Sequence, residues 1–182
     1  MRWLNNIEKY LYRAEKAVVI AAFIAMFFAG IGQVVIRVME FGSIGTDEIA
    51  MVAAALLIFI GAGLGVYTHD HITIELVSLL PANRIRLTAE GISQAALALF
   101  GVVFTYYSAL YWQGLSRSGE TTLQLDIPLT LPVGAMVAGG VLILIHALCR
   151  LTRTVAKLLG KEAEDPHTGQ AAELISAPGA MS

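Results

Sequence analysis

Four histidines are the residues of this 182-residue chain best suited to hold a metal or move a proton. Two of them, His69 and His71, flank Asp70 in the stretch "GVYTHDHITIELVSLLP", directly after a long apolar run. As metal ligands they are badly spaced: two positions apart on a helix, their side chains diverge by about 200°. No Cys, His or Glu close by in sequence completes a credible set. Haem ligation needs histidines inside apolar segments, as His146 is, while His71 sits only at the edge of one. A haem-binding electron-transfer membrane anchor using His71 and His146 therefore stands as an alternative reading. The plainer reading of the pair is the polar end of an apolar helix, facing the negative dipole terminus and lipid headgroups. His167 lies in a polar tail and is read as solvated. The lone Cys149 supports neither a disulfide framework nor a CxxC redox site and is read as a small packing residue. No catalytic, substrate-binding or metal-binding residue is expected, and the chain does not read as an enzyme.

The elements that position these residues follow from composition. At 57% hydrophobic and 14% charged, with a mean hydropathy of +0.70, the chain carries far too little charge for a water-soluble domain. A net charge of −2 gives no basic excess for nucleic acid. Four apolar segments are long enough to cross a hydrocarbon core of about 30 Å: residues 17–36, 49–67, 89–112 and 131–148. The first is read as an uncleaved span, because no small-residue cleavage site follows it. The expected fold is an all-α integral membrane protein of four transmembrane helices, its membrane domain covering 17–155.

Two shorter pieces complete that expectation. Residues 1–16 show Trp3, Ile7, Tyr10, Leu11 and Ala14 at helical spacing, with Glu8, Lys9, Arg13 and Glu15 mostly elsewhere on the wheel. They are read as an amphipathic interfacial helix anchored by Trp3. "HITIELVSLL" is read as a short interfacial helix between helices two and three, stopped by Pro81. Residues 156–182 mix charge, Gly and Pro without a period and are read as a mobile tail. Arg2, Lys9, Arg13 and Lys16, with Arg84 and Arg86, and Arg150, Arg153, Lys157 and Lys161, fall on one side of this frame; only Arg37 and Arg117 fall on the other. The bias places both termini in the cytoplasm.

No ionisable residue falls at the centre of a span, which is where ion and proton carriers keep one. Gln33, Gln94, Thr105, Ser108 and His146 are the polar residues inside spans, each expected to be satisfied by one interhelical hydrogen bond. Small residues are plentiful instead. Ala21, Ala25, Ala29 and Gly32 read as one packing face of helix one, and Ala50, Ala54, Gly61 and Gly65 as another on helix two. Such faces bring backbones close, either within the four-helix unit or against another chain. Tyr111 and Trp112, near the outer end of helix three, read as interfacial anchors. A self-contained homo-oligomeric channel or carrier remains a second alternative.

The order "TDEIAMVAAALLIFIGAGLGVYTHDHITIELVSLLP" resembles the small membrane subunit of tripartite ATP-independent periplasmic (TRAP) transporters. An acidic residue (Glu48) opens helix two; Phe59, Gly61 and Ala62 follow, then His71, Ile72, Glu75 and Pro81. A second similar stretch, "LQLDIPLTLPVGAMVAGGVLILIHAL", carries Leu125, Ile127, Pro128, Pro132 and Gly134. The chain departs from the family's pattern in having no Trp inside helix two and no aromatic shortly after the Ile-Pro pair. The resemblance implies a scaffold subunit in a bacterial inner membrane. It would bind a large membrane subunit that performs cation-coupled symport of an organic acid, brought by a periplasmic binding protein. Sodium ions would belong to the large subunit, and this chain would need no cofactor. Glu48, Gly61, Gly65, His71, Glu75, Pro128, Pro132 and Gly134 become candidate partner-interface or family-motif positions.

Overall fold

The computed structural model describes residues 2–42, 44–68 and 83–159. Four helices follow one another: α1 (Arg2–Val38), α2 (Thr46–Thr68), α3 (Asn83–Ser118) and α4 (Thr130–Leu158). All four contain segments long and apolar enough to cross a membrane, and the chain is read as a multi-pass membrane protein. The expected interfacial helix over 72–80, with His69, His71 and Glu75, lies outside the described residues, as does the tail beyond 159.

Each helix is longer than its apolar core, because a helix ends where backbone conformation changes and not where lipid does. The largest difference is at the start of the chain. Residues 2–16 are not a separate helix; they are the first four turns of α1, which runs unbroken for 37 residues, about 55 Å at 1.5 Å per residue. Nothing in "YRAEKAVVIA" interrupts it: the segment contains neither Gly nor Pro, the residues that break or kink helices.

The helices do not close into a four-sided bundle. α1 packs on α2, α2 on α4, and α4 on α3, so that the spatial order is α1, α2, α4, α3. This row is one helix thick. An end helix in such a row needs only one buried seam, and α1 has one: among its described side chains Glu8, Glu15, Ala22 and Ala29 are buried, each seven after the last. The face read from the sequence was different, and Ala21 and Ala25 are exposed. The rest of α1 presents bare apolar side chains, among them Phe23, Phe27, Phe28, Ile31 and Val34.

α4 is the most enclosed helix, with α2 and α3 against it, and its glycines set how near they come. A Cβ at Gly139 would stand 2.3 Å from the backbone oxygen of Phe59 on α2. One at Gly140 would stand 2.5 Å from Thr105 Oγ1 on α3, and one at Gly101 would meet the Leu144 backbone at 3.3 Å. Close approach is therefore carried by Gly139, Gly140, Gly101 and Gly63, the last packed on Leu142. Gly61, by contrast, only grazes Val19 at 3.9 Å, and Gly65 faces open space.

Candidate functional site

Two polar constructions join the helices, one at each end of the row. At one end Glu48, in the first turn of α2, reaches the segment between α3 and α4. Its Oε1 accepts the Gln124 backbone N–H at 2.8 Å and its Oε2 accepts that of Leu125 at 2.9 Å. Both carboxylate oxygens thus satisfy main-chain donors that the turn leaves over. The turn itself is a narrow loop: Thr121 bridges Pro128, Thr122 N–H donates to the Ile127 carbonyl at 2.9 Å, and Ile127 N–H donates back to Thr122 Oγ1 at 3.0 Å.

Gly45 completes this clasp for two reasons at once. Its φ of +76° is one that side-chain-bearing residues rarely adopt, and an added Cβ would lie 2.6 Å from Leu125 Cγ. With the loop fixed at its base, Leu123 stands at the tip 98% exposed. Pro128 sits in the bridge; Pro132 falls in the first turn of α4, where the missing N–H breaks no helical bond. Gly134 lies against the Trp112 indole, whose Nε1 would be 3.6 Å from a Cβ there. Tyr111 and Trp112 are both exposed on α3. The Trp3 side chain lies outside the described residues.

At the opposite end sits a buried ionisable cluster that the wheel reading of residues 1–16 missed. Glu8 and Glu15, expected on the polar outer face, turn inward and are only 2% and 3% exposed. Across from them on α4 are His146, fully buried, and Arg153. Glu15 Oε1 lies 2.9 Å from His146 Nε2, Glu8 Oε1 lies 4.0 Å from His146 Nδ1, and Arg153 Nη2 donates to Glu8 Oε2. Two carboxylates spaced by seven on one helix thus meet an imidazole and a guanidinium spaced by seven on an antiparallel neighbour.

α2 ends between the two helices and lends aromatic walls. Tyr67 packs on Tyr12 of α1 with ring centroids 4.8 Å apart, and on the His146 ring at 5.4 Å. The Glu8 carboxyl, beyond the apolar span that begins at Tyr10, is pulled to opposite ends by its surroundings. Burial raises its pKa, but the facing His146 imidazole and the hydrogen-bonded Arg153 guanidinium outweigh burial and hold it below the ordinary carboxylate value. Glu15 Oε2 and His146 Nδ1 are buried and make no hydrogen bond. The same holds for Gln94 Oε1 and for Thr105 Oγ1.

His146 was singled out in the sequence, but its partners were not. The available signal was the equal seven-residue spacing of Glu8 with Glu15 and of His146 with Arg153. Both ring nitrogens of His146 face carboxylates, an arrangement that orients the imidazole and does not leave it open to a haem iron. Among the described residues no three of His, Cys, Asp and Glu gather as a metal set. An open hollow of about 390 Å³ lies at the Glu48 end of the row, lined by Gln33, Arg37, Glu40 and Thr46.

The family described as "Tripartite ATP-independent periplasmic transporters, DctQ component" matches residues 26–157. No curated protein matches the chain. The match includes Glu48 and its loop, the glycines of α4, and His146 and Arg153; Glu8 and Glu15 fall before it.

Proposed function

The chain belongs to the DctQ-component family of tripartite ATP-independent periplasmic transporters, and from that premise we propose that it is a scaffold subunit of such a transporter. In this reading it binds a large membrane subunit in a bacterial inner membrane, with both termini cytoplasmic. That partner carries out the cation-coupled uptake of an organic acid delivered by a periplasmic binding protein. Sodium and substrate sites belong to the partner, and this chain supplies helix faces and anchoring.

The observation that carries the reading is the one-helix-thick row. A layer of this shape leaves both broad faces of α1 and α3 bare and apolar, while its buried Glu8, Glu15, Glu48 and His146 fasten its own helices. Helices that each meet few neighbours have surface to offer a larger membrane protein, and small residues without close contacts, such as Gly65, suit a further helix. Glu48 with Pro128, Pro132 and Gly134 shapes the end nearest the binding protein, where Leu123 stands out from the clasped loop.

The test is a mild-detergent pull-down of the tagged chain from native membranes, with mass spectrometry. Recovery of a many-helix membrane protein in about equal amount supports the proposal. Recovery of this chain alone, or only with copies of itself, overturns it. Gly61→Leu together with Gly65→Leu then asks where the large subunit sits: loss of co-purification and of uptake together assigns it to that face of α2.

A further inference from the structure

The cluster at the α1/α4 end contains a charge imbalance that one proton removes. On α1 it comprises Glu8 and Glu15, with Tyr12 beside them; on α2, Tyr67; on α4, His146 and Arg153, with Cys149 near Glu8. Arg150 on α4 and Glu90 on α3 have interactions of their own. The charges that act on Glu8 are those of Arg153 and His146, and those that act on His146 are Glu15 and Glu8. Two carboxylates therefore stand against one guanidinium. Arg153 answers Glu8. Among the described residues Glu15 pairs with the imidazole alone, and its second oxygen is buried without a hydrogen-bond donor. A bare carboxylate is among the costliest groups to bury.

We propose that Glu15 and His146 form a proton-binding site whose occupancy fastens the start of α1 to the end of α4. With the proton bound, the imidazolium donates from Nε2 to Glu15 Oε1 while Nδ1–H faces Glu8, and the four groups sum to zero. When the proton leaves to water, a neutral imidazole remains, and its Nδ1 lone pair then faces the Glu8 carboxylate. Two negative charges are left against Arg153. The buried cluster can restore neutrality only by letting Glu15 reach solvent, which parts the two helices. Among the described residues α1 packs chiefly on α2, and the ion pairs that join it to α4 are made by these long side chains. Arg153, with 14% of its side chain exposed, lies toward the solvent side and offers the proton a way out. The inference does not depend on the scaffold reading, since it concerns two helices of one chain.

The test is a distance measurement by double electron–electron resonance on the full chain in lipid nanodiscs. Spin labels go on Tyr10→Cys of α1 and Val155→Cys of α4, both exposed, with Cys149→Ala removing the native thiol. The proposal expects one narrow distance at neutral pH and a longer, broader one appearing as pH rises. For a single linked proton the open-to-closed ratio grows about tenfold per pH unit above the midpoint. Glu15→Gln is decisive, because the amide has nearly the carboxylate's shape and needs no counter-charge: the latch should stay closed at every pH. If Glu15 is only a structural contact, Glu15→Gln loosens α1 equally at all pH values, and that result overturns the proposal. A distance in the parent chain that ignores pH also overturns it. Should Glu15→Gln fail to fold, His146→Gln supplies the second reading. Without the imidazole the parent's pH-dependent opening must be lost or displaced; an unmoved opening refutes the site.

Discussion

Replacing Gly139 with alanine should split the row at its middle seam. The new Cβ would lie 2.3 Å from the Phe59 oxygen, 2.7 Å from the Phe59 carbonyl carbon and 2.9 Å from its Cβ. Ordinary carbon contacts are about 3.5–4.0 Å, so α2 and α4 must part by about 1 Å along this line. The obstacle is helix backbone, which no rotamer change moves aside. Overpacking of this kind costs about 1–3 kcal/mol, and a backbone clash belongs at the upper end. Intrinsic propensity pulls the other way, since alanine in a helix is better than glycine by about 0.8–1.0 kcal/mol. A net loss of about 1–2 kcal/mol is expected. Gly65→Ala is the control: it gains the same propensity term and meets nothing within 4 Å. It should leave the isolated chain as stable as before or more so. Reversible unfolding in mixed micelles, titrated with a denaturing detergent and followed by helicity, measures both. If Gly139→Ala is no less stable than Gly65→Ala, the close approach of α2 to α4 is not as described, and the row order that depends on it fails.

Gly45→Ala should also destabilise, through its φ of +76° and its contact with Leu125. The left-handed conformation alone costs about 1–2 kcal/mol. In a Leu125→Ala background the cost should shrink toward that strain, and a double-mutant cycle reads the coupling. Glu48→Gln leaves one acceptor oxygen for two main-chain donors and points an NH₂ at one of them. Hydrogen exchange at Gln124 and Leu125 should then accelerate while amides in the middle of α4 keep their rates. Glu8 makes the start of α1 acid-sensitive. Its pKa is lowered in the fold, so its contribution is full above the unfolded-state value and is lost as pH falls through the lower folded value. Exchange protection over residues 8–16 should thus survive the ordinary carboxylate range and fail below it. Arg153→Gln removes a main cause of the lowering and should move that failure to higher pH.

The four spans were legible because an apolar run of about 20 residues has few other uses. Their ends were not, since helix backbone continues into polar sequence wherever tertiary contacts reward it, as at residues 2–16. There the amphipathic pattern misled for a physical reason. In water the apolar stripe of a helix turns inward, whereas beside lipid the apolar side chains can face outward and polar ones find partners within the protein. Glu8 and Glu15 are inward, and Tyr10 is 73% exposed. The small-residue faces read from the sequence are only partly used inside the chain, for a related reason. A helix offers small residues on several sides, and only the neighbour decides which are used; Gly139 and Gly140, adjacent in sequence, serve two different helices. Glu48 was legible as the acidic start of α2. Its role as a clasp was not, because Gln124 and Leu125 are 76 and 77 residues away.

The two polar constructions complement the apolar row in a way that favours a fixed body. Apolar seams in lipid are weakly directional, because lipid chains solvate Leu and Phe about as well as a neighbouring helix does. A single-layer row joined only by such seams could slide or fan. Glu48 stops this at one end by tying the start of α2 to the turn that joins α3 and α4. The Glu8, Glu15, His146 and Arg153 cluster stops it at the other by tying α1 to α4 past the end of α2. Each tie skips a neighbour in the spatial order: α1 reaches α4 over α2, and α2 reaches the α3–α4 turn. Together they brace all four helices diagonally, and a layer so braced can keep its shape beside a moving partner. Cutting both ties, with Glu48→Gln and Glu15→Ala, should therefore loosen the row more than the two single changes summed. If the effects merely add, the ties act locally and the row is held by its seams alone.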